Sequence, residues 1–169
     1  METYAASHGK EEVLVTTIGT LKMRLTIGVL LLLSGMWLAT PSAAAPTPED
    51  TVKAYLTAMK EQKFDEAYKH ISKGMAANKD AEAWGKEYKY IFQTSEMKIF
   101  KFEVYAGKIE GETAKVPNIL SSQDKFLNQL GADEYELYTL VKEGGEWKID
   151  QQEIVEGSEQ SKWFAKKAT

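Results

Sequence analysis

The hydrophobic pattern of this 169-residue chain changes its period once, near Thr94. From residue 47 to residue 92, apolar positions recur every three to four residues, as on one face of a helix. Beyond Thr94 they alternate with polar residues, which is typical of half-buried strands. Helices followed by strands indicate an α+β domain, with N-terminal helices packed on a mainly antiparallel sheet.

Three helices are expected in the first half of the domain. The first begins at Pro48 with Thr47 as its cap, the second is short and begins at Phe64, and the third follows a cap at Asn78 or Asp80. Their apolar faces comprise Val52, Tyr55, Leu56 and Met59, then Phe64, Ala67, Tyr68 and Ile71, then Ala81, Trp84, Tyr88, Ile91 and Phe92.

The strand region contains two pairs of alternating segments. In the first pair, Phe100, Phe102 and Val104 share a face, and Gly107 is expected to form a bulge before the turn into residues 113–120. Because Pro117 cannot donate to a ladder, that second segment is predicted to be an edge strand or to break there.

The second pair, residues 134–142 and 147–152, is predicted to form a hairpin around Gly144-Gly145, a dipeptide suited to a type I′ turn. That register places Tyr138, Leu140, Trp147 and Ile149 on one face, and Tyr135, Leu137, Thr139 and Val141 on the other. Residues 121–131 do not fit a strand pattern and are predicted to form a short capped helix or a packed loop.

Residues 23–44 have the layout of a secretory signal peptide. Lys22 and Arg24 precede an uncharged apolar run from Leu25 to Leu38, and small residues follow Pro41. An exported protein, periplasmic or extracellular, is therefore expected.

The remaining organisation follows from that leader. Cleavage is expected immediately before or after Ala45, which leaves a domain over residues 45–155 and a polar tail over 156–169 in which Trp163 and Phe164 can dock. The alternative is an anchor formed by residues 25–40, although its apolar run is shorter than the roughly 20 residues that span a bilayer. Residues 1–22 show no pattern and are interpreted as an extension upstream of the true start.

Composition excludes several kinds of site. Cysteine is absent, which rules out disulfides and thiolate metal sites. The formal net charge is −4 and the only arginine is Arg24, whereas a nucleic-acid surface needs a basic stripe. His70 is the single histidine after the leader, so a histidine-cluster metal site cannot form within one chain. We expect no metal, no cofactor and no nucleic acid, and membrane contact only through an uncleaved leader.

Two motifs resemble the small exported domains of the NTF2-like (cystatin-like cone) superfamily, in particular the uncharacterised DUF4878-type domain. They are Phe64-Asp65-Glu66-Ala67-Tyr68 and Gly145-Glu146-Trp147-Lys148-Ile149, and the resemblance covers about residues 48–155. The chain departs from the pattern at Gln62-Lys63, where Gly-Asp is usual, and in the insertion 121–131. The resemblance implies a curved sheet that wraps the first helix around a conical cavity.

Ten positions are expected to line that cavity: Tyr55, Met59, Tyr68, Trp84, Tyr88, Phe102, Tyr138, Leu140, Trp147 and Ile149. Aromatic walls suit an apolar small molecule. The alternative is that the same side chains fill a closed core. The first hypothesis is thus a non-catalytic small-molecule-binding or accessory module.

Two other functions remain open. An interaction protein, such as a homodimer, would dock through Tyr135, Leu137 and Val141 on the outer face of the sheet. A small lyase or isomerase would use His70 as base with Tyr55, Tyr88 or Tyr138 as donor. We interpret His70 as structural, because the end of a helix favours a cation.

Overall fold

The computed structural model describes residues 45–164. The predicted extension, leader and anchor before residue 45, and the last residues of the tail, lie outside this part of the chain. Within it, no helix combines the length and apolarity that a membrane crossing requires.

Three helices open the domain: α1 (Pro48–Lys60), α2 (Phe64–Tyr68) and α3 (Ala81–Ser95). The predicted cap of α1 is a complete capping box. The Thr47 hydroxyl accepts from the Asp50 backbone N–H at 3.1 Å, and the Asp50 carboxylate accepts from the Thr47 N–H at 3.1 Å. Asp80, one of the two candidates, caps α3 by accepting from the Ala83 N–H at 2.8 Å.

Five strands follow: β1 (Lys98–Val104), β2 (Lys108–Glu110), β3 (Thr113–Gln123), β4 (Asp133–Glu143) and β5 (Glu146–Ile154). Their order is β1-β3-β4-β5, β2 also pairs with β3, and every pairing is antiparallel. The inner face of this curved sheet packs on the helices in one continuous apolar core. The predicted α+β class is confirmed.

The β4–β5 hairpin has the predicted register next to its turn, and a one-residue shift between Thr139 and Leu140 changes the pairing farther away, where Tyr138 lies opposite Gln152. Lys142 lies opposite Trp147, and Leu140 lies opposite Ile149. Gly144 and Gly145 both have positive φ, 61° and 87°, as the primed turn requires.

The bulge expected at Gly107 is also present. Val104 pairs with Asn118 and Lys108 pairs with Lys115, so three residues of the outer strand oppose two of β3. A Cβ on Gly107 would lie 2.9 Å from the Lys115 carbonyl oxygen, which explains why glycine occupies this position.

The prediction for Pro117 was wrong: β3 is a central strand, and Pro117 lies within it opposite Leu137. The Pro117 carbonyl accepts from the Tyr105 N–H at 2.9 Å, on the side of β3 that faces β1 and β2. In a strand, the nitrogen and carbonyl of one residue face the same neighbour. The proline nitrogen therefore falls at the bulge, where the ladder is already interrupted.

Two further expectations are corrected. Phe100 does not share the buried face of Phe102, because the β1 register shifts between Ile99 and Lys101 and leaves Phe100 49% exposed. The strand β3 runs on to Gln123, so only the rest of the 121–131 segment is a loop. Its large apolar side chains project outward instead of packing, as described below.

The C-terminal segment folds against the outer face of the sheet. A 3-10 turn (Gly157–Glu159) leads into a one-turn helix, α4 (Gln160–Trp163). Phe164 is buried, and its ring lies 4.9 Å from that of Tyr135 and 5.4 Å from that of Tyr105. The folded part thus continues past Val155.

Candidate functional site

The ten predicted cavity positions come together in the core. Six are buried: Tyr55, Met59, Trp84, Tyr138, Leu140 and Ile149. The other four, Tyr68, Tyr88, Phe102 and Trp147, are partly buried and pack against them. Their rings contact each other directly, as where Trp84 stacks on Tyr88 at 4.0 Å between ring centroids. The space between α1 and the sheet is therefore filled largely by protein side chains.

A carboxylate lies in this core that sequence reasoning did not select. Glu136 on β4 is 1% exposed. It accepts from the Asn118 amide at 2.8 Å, the Tyr138 hydroxyl at 3.0 Å and the Gln152 amide at 2.6 Å. These partners come from β3, β4 and β5, so the carboxylate joins three neighbouring strands.

Alternation along β4 could have identified this residue, because Glu136, Tyr138 and Leu140 lie two apart and must share a face. Burial raises the pKa of Glu136 above its ordinary value, although hydrogen bonds from Asn118, Tyr138 and Gln152 act in the opposite direction. Burial also raises the pKa of Tyr138 well above the usual range. The carboxyl group therefore keeps its proton to a higher pH than an exposed glutamate does.

An open groove lies elsewhere, between the start of α1, residues 68–73 and the β4–β5 turn. We call it the Trp147 groove. Its volume is about 840 Å³, and its apolar wall comprises Pro46, Ala54, Tyr68, Ile71 and Trp147. Two of the ten predicted positions, Tyr68 and Trp147, thus line an open site.

The groove is held by the edge of the sheet. The Ile149 N–H donates to the His70 carbonyl at 2.8 Å, and the Ser72 N–H donates to the Ile149 carbonyl at 2.8 Å. This parallel bridge fixes the segment after α2 against β5. The Lys142 ammonium lies 5.1 Å from the centroid of the Trp147 ring and holds the indole from its neighbouring strand.

His70 is the titratable side chain of most interest in this groove. Burial and the nearby Lys148 ammonium lower the pKa of His70 from its ordinary value, which favours a neutral imidazole. The Lys148 ammonium donates to the Lys69 carbonyl and to the Glu146 carboxylate, both at 2.7 Å. The Lys148 charge is thus paired with Glu146, and a neutral imidazole can donate one hydrogen bond and accept one.

The predicted interface residues are covered in part by the chain itself. Leu137 is 2% exposed because it packs in an outer cluster with Val155 and Phe164. Tyr135 packs against this cluster, and Val141 is half-buried. The alternation along β4 gave the correct face, but the C-terminal segment that covers it could not be placed from the pattern.

Within residues 45–164, no group of three or more metal-ligating side chains is close enough to hold an ion. The small lyase or isomerase considered above needs a base near a tyrosine hydroxyl in a site open to solvent. Glu136 and Tyr138 meet the distance but are enclosed, whereas His70 lies in the open groove, where the Tyr68 hydroxyl donates to the Lys79 carbonyl at 2.7 Å.

Neither a protein-family model nor a curated protein matches the sequence. Solved structures that resemble this chain include a domain of unknown function with a cystatin-like fold from Nostoc punctiforme, with 12% identity and a TM-score of 0.47, covering 62% of this chain and 71% of that chain. An NTF2-like protein of Cytophaga hutchinsonii has 13% identity and a TM-score of 0.47, covering 62% and 91%. A SEC-C motif protein of Rhodopseudomonas palustris has 16% identity and a TM-score of 0.51, covering 68% and 83%. The match to Bdellovibrio bacteriovorus Bd1075, at 14% identity and a TM-score of 0.44, covers 62% of this chain but only 38% of that protein. Among these, the Rhodopseudomonas palustris structure has a TM-score above 0.5, and at 16% identity its likeness shows the fold alone.

Proposed function

We propose that this chain is a non-catalytic binding module that takes a small, mainly apolar, ring-containing molecule in the Trp147 groove. The observation that carries the proposal is the open apolar wall around Trp147, beside a core that is otherwise occupied by packed side chains. A volume of about 840 Å³ lies within the range of ligand pockets, which are lined mainly by apolar and aromatic side chains with a few polar groups.

The groove also supplies the means to orient such a ligand. Trp147, Tyr68 and Ile71 offer apolar and aromatic surface, and the His70 imidazole offers one hydrogen bond. Because the nearby Lys148 is already paired with Glu146, a neutral ligand fits better than a strongly charged one.

We also propose where the protein is located and to which family of domains it is related. The leader-like composition of residues 23–44 supports export, so the ligand would be met in the periplasm or outside the cell. The motifs around Phe64 and Trp147 support a relationship to the DUF4878-type exported domains. An N-terminal sequence of the expressed protein that begins near Ala45 would support export with cleavage, and one that retains residues 25–40 would favour the anchor instead.

The binding proposal is tested with 2-naphthol, a neutral bicyclic probe with one hydroxyl group. Binding to the folded state should raise the melting temperature in proportion to ln(1 + [L]/Kd). Trp147→Ala should abolish this rise. The matched control is Trp163→Ala, which removes a half-buried tryptophan from α4 on the outer face and should leave the rise unchanged.

Two results would contradict the proposal. One is the absence of any shift in the unmodified protein for 2-naphthol and for related neutral aromatic probes. The other is an equal loss of the shift in both variants, which would place the binding outside the Trp147 groove.

A further inference from the structure

The loop between β3 and β4 lies at one end of the sheet and carries unusually exposed apolar side chains. Leu127 is 94% exposed, Leu130 is 96% exposed and Phe126 is 59% exposed. Phe100, 49% exposed, lies beside them, since its ring comes within 3.9 Å of the position that a Cβ on Gly131 would occupy. We call these four side chains the apolar tip.

The loop that carries three of the four tip side chains is held by its own polar side chains. The Asp124 carboxylate accepts from the backbone N–H groups of Phe126, Leu127 and Asn128 at 2.7, 2.8 and 3.1 Å. The Asn128 amide donates to the Ser122 and Ala132 carbonyls at 3.0 and 2.9 Å and accepts from the Ala132 N–H at 2.8 Å.

These hydrogen bonds are sufficient to fix the shape of the loop, and packing of the Leu127 and Leu130 side chains is not needed for it. Their exposure shows that they contribute little packing to the folded domain, and an exposed apolar cluster of this kind marks an interaction site. The polar network holds the leucines outward in a fixed arrangement, so little conformational entropy would be lost when they are buried.

We propose that the apolar tip inserts into the surface of a lipid bilayer. Three side chains on the loop and one on the neighbouring strand β1 fall well short of the roughly 20–30 residues per side that a standard protein interface buries. A bilayer needs no complementary surface, because its acyl chains adapt to whatever apolar group enters. Near-total exposure of Leu127 and Leu130 suits such a soft apolar phase better than a flat protein partner.

The base of the tip fits the polar part of a bilayer. Lys125 lies 5.2 Å from the centroid of the Phe126 ring and 3.3 Å from the Glu96 carboxylate. Lys98 lines the same small depression at the base. Charges of both signs therefore surround the tip, which suits zwitterionic headgroups, and a lysine stem can follow the apolar surface while its ammonium stays in water.

The tip and the Trp147 groove lie at opposite ends of α1. Lys60, its last residue, donates to the Phe100 carbonyl at 2.6 Å beside the tip, whereas Asp50 and Thr51 at its start border the groove. Thirteen helical residues span about 20 Å. Insertion of the tip would leave the groove open to water, and this inference does not depend on the proposed ligand.

The absence of native cysteine permits a direct test. The full chain carrying Leu127→Cys is labelled with the environment-sensitive fluorophore NBD and mixed with phosphatidylcholine vesicles. The label should shift to shorter wavelength and be quenched by nitroxide attached to the acyl chains. The control is Ile109→Cys, an exposed apolar position (58%) on β2 at the other end of β3, whose label should stay aqueous even if the leader binds the vesicle.

A second variant separates insertion from folding. In the chain labelled through Leu130→Cys, adding Leu127→Ser should raise the lipid concentration that gives half of the wavelength shift by about tenfold or more. The reason is that burial of one leucine side chain strengthens binding by about that factor. Its melting temperature should not change. The inference is overturned if the label at position 127 stays aqueous on vesicles. A shift that grows with protein concentration without vesicles would also overturn it and would indicate a second copy of this chain as the partner.

Discussion

Replacing Glu136 with alanine should destabilise the domain by removing an acceptor that three strands share. Asn118, Tyr138 and Gln152 all donate to this carboxylate. Asn118 and Tyr138 are 0% and 1% exposed, so water cannot replace the lost acceptor for them, whereas Gln152 lies at an exposed position and can turn to solvent.

The magnitude follows from those two buried donors. An unsatisfied buried donor costs about 1–3 kcal/mol, so the pair contributes about 2–6 kcal/mol, before any term for the small cavity. A domain of this size is stable by about 5–15 kcal/mol in total. Glu136→Ala should therefore unfold at much lower urea concentration than the unmodified protein, and Glu136→Gln, which keeps the volume and one acceptor oxygen, should lose less.

The carboxyl group also predicts an unusual pH dependence. Because burial raises the pKa of Glu136 in the folded state, the folded protein holds this proton at pH values where the unfolded chain has released it. The stabilising contribution of the protonated group is complete below the ordinary value of 4.5 and is lost as the pH rises through the raised pKa. Glu136→Gln cannot release a proton, so its stability should gain on that of the unmodified protein over this range.

Urea unfolding at a series of pH values, followed by tryptophan fluorescence, measures both effects. A loss of less than about 1 kcal/mol in Glu136→Ala at pH 4 would show that the donors find other partners. A difference between the unmodified protein and Glu136→Gln that stays constant between pH 4 and pH 9 would show that the carboxyl group has no raised pKa.

Two other changes test the frame of the domain. Thr47→Ala removes the hydroxyl of the capping box and should lower the free energy of unfolding by about 1 kcal/mol, measured by urea titration, whereas Thr47→Ser should retain most of it. Phe164→Ala should release the C-terminal segment from Tyr105 and Tyr135, so that limited proteolysis cuts within α4 much faster, while Lys162→Ala on the exposed side should not change the cutting rate. Unchanged proteolysis in Phe164→Ala would show that the ring does not hold the segment.

The elements that could be predicted are those whose signals are local. The cap at Thr47 and the turn at Gly144-Gly145 depend on neighbouring residues alone, and the register of the last hairpin follows from that turn as far as Leu140, where it shifts by one residue. The face of Tyr138 and Leu140 follows from alternation. Local sequence signals are therefore enough to predict the helices and the turn of the final hairpin without knowledge of any tertiary contact.

The remaining features depend on contacts between distant parts of the chain. Glu136 shares the face of Tyr138, but a carboxylate is tolerated in the core only because the Asn118 and Gln152 amides donate hydrogen bonds to it. Only the strand register brings these two donors to Glu136. Leu137 is covered by Phe164, which lies 27 positions later in the chain. The alternating pattern of β4 predicts the face of Leu137 but not which distant residue covers it. The Trp147 groove likewise depends on the bridge between β5 and the segment after α2.

Pro117 also has a consequence for how the sheet assembles. If a strand shifts its register by one residue, its apolar side chains turn to the solvent face. A shift by two residues keeps them on the core face, so the hydrophobic pattern alone does not prevent it. With an imide nitrogen in the middle of β3, such a shift would move the missing donor away from the Gly107 bulge and leave a carbonyl of the neighbouring strand without a partner. A single ring thus penalises the misalignment that hydrophobicity would permit, so the residue that looks least suited to a central strand helps the chain to select one pairing.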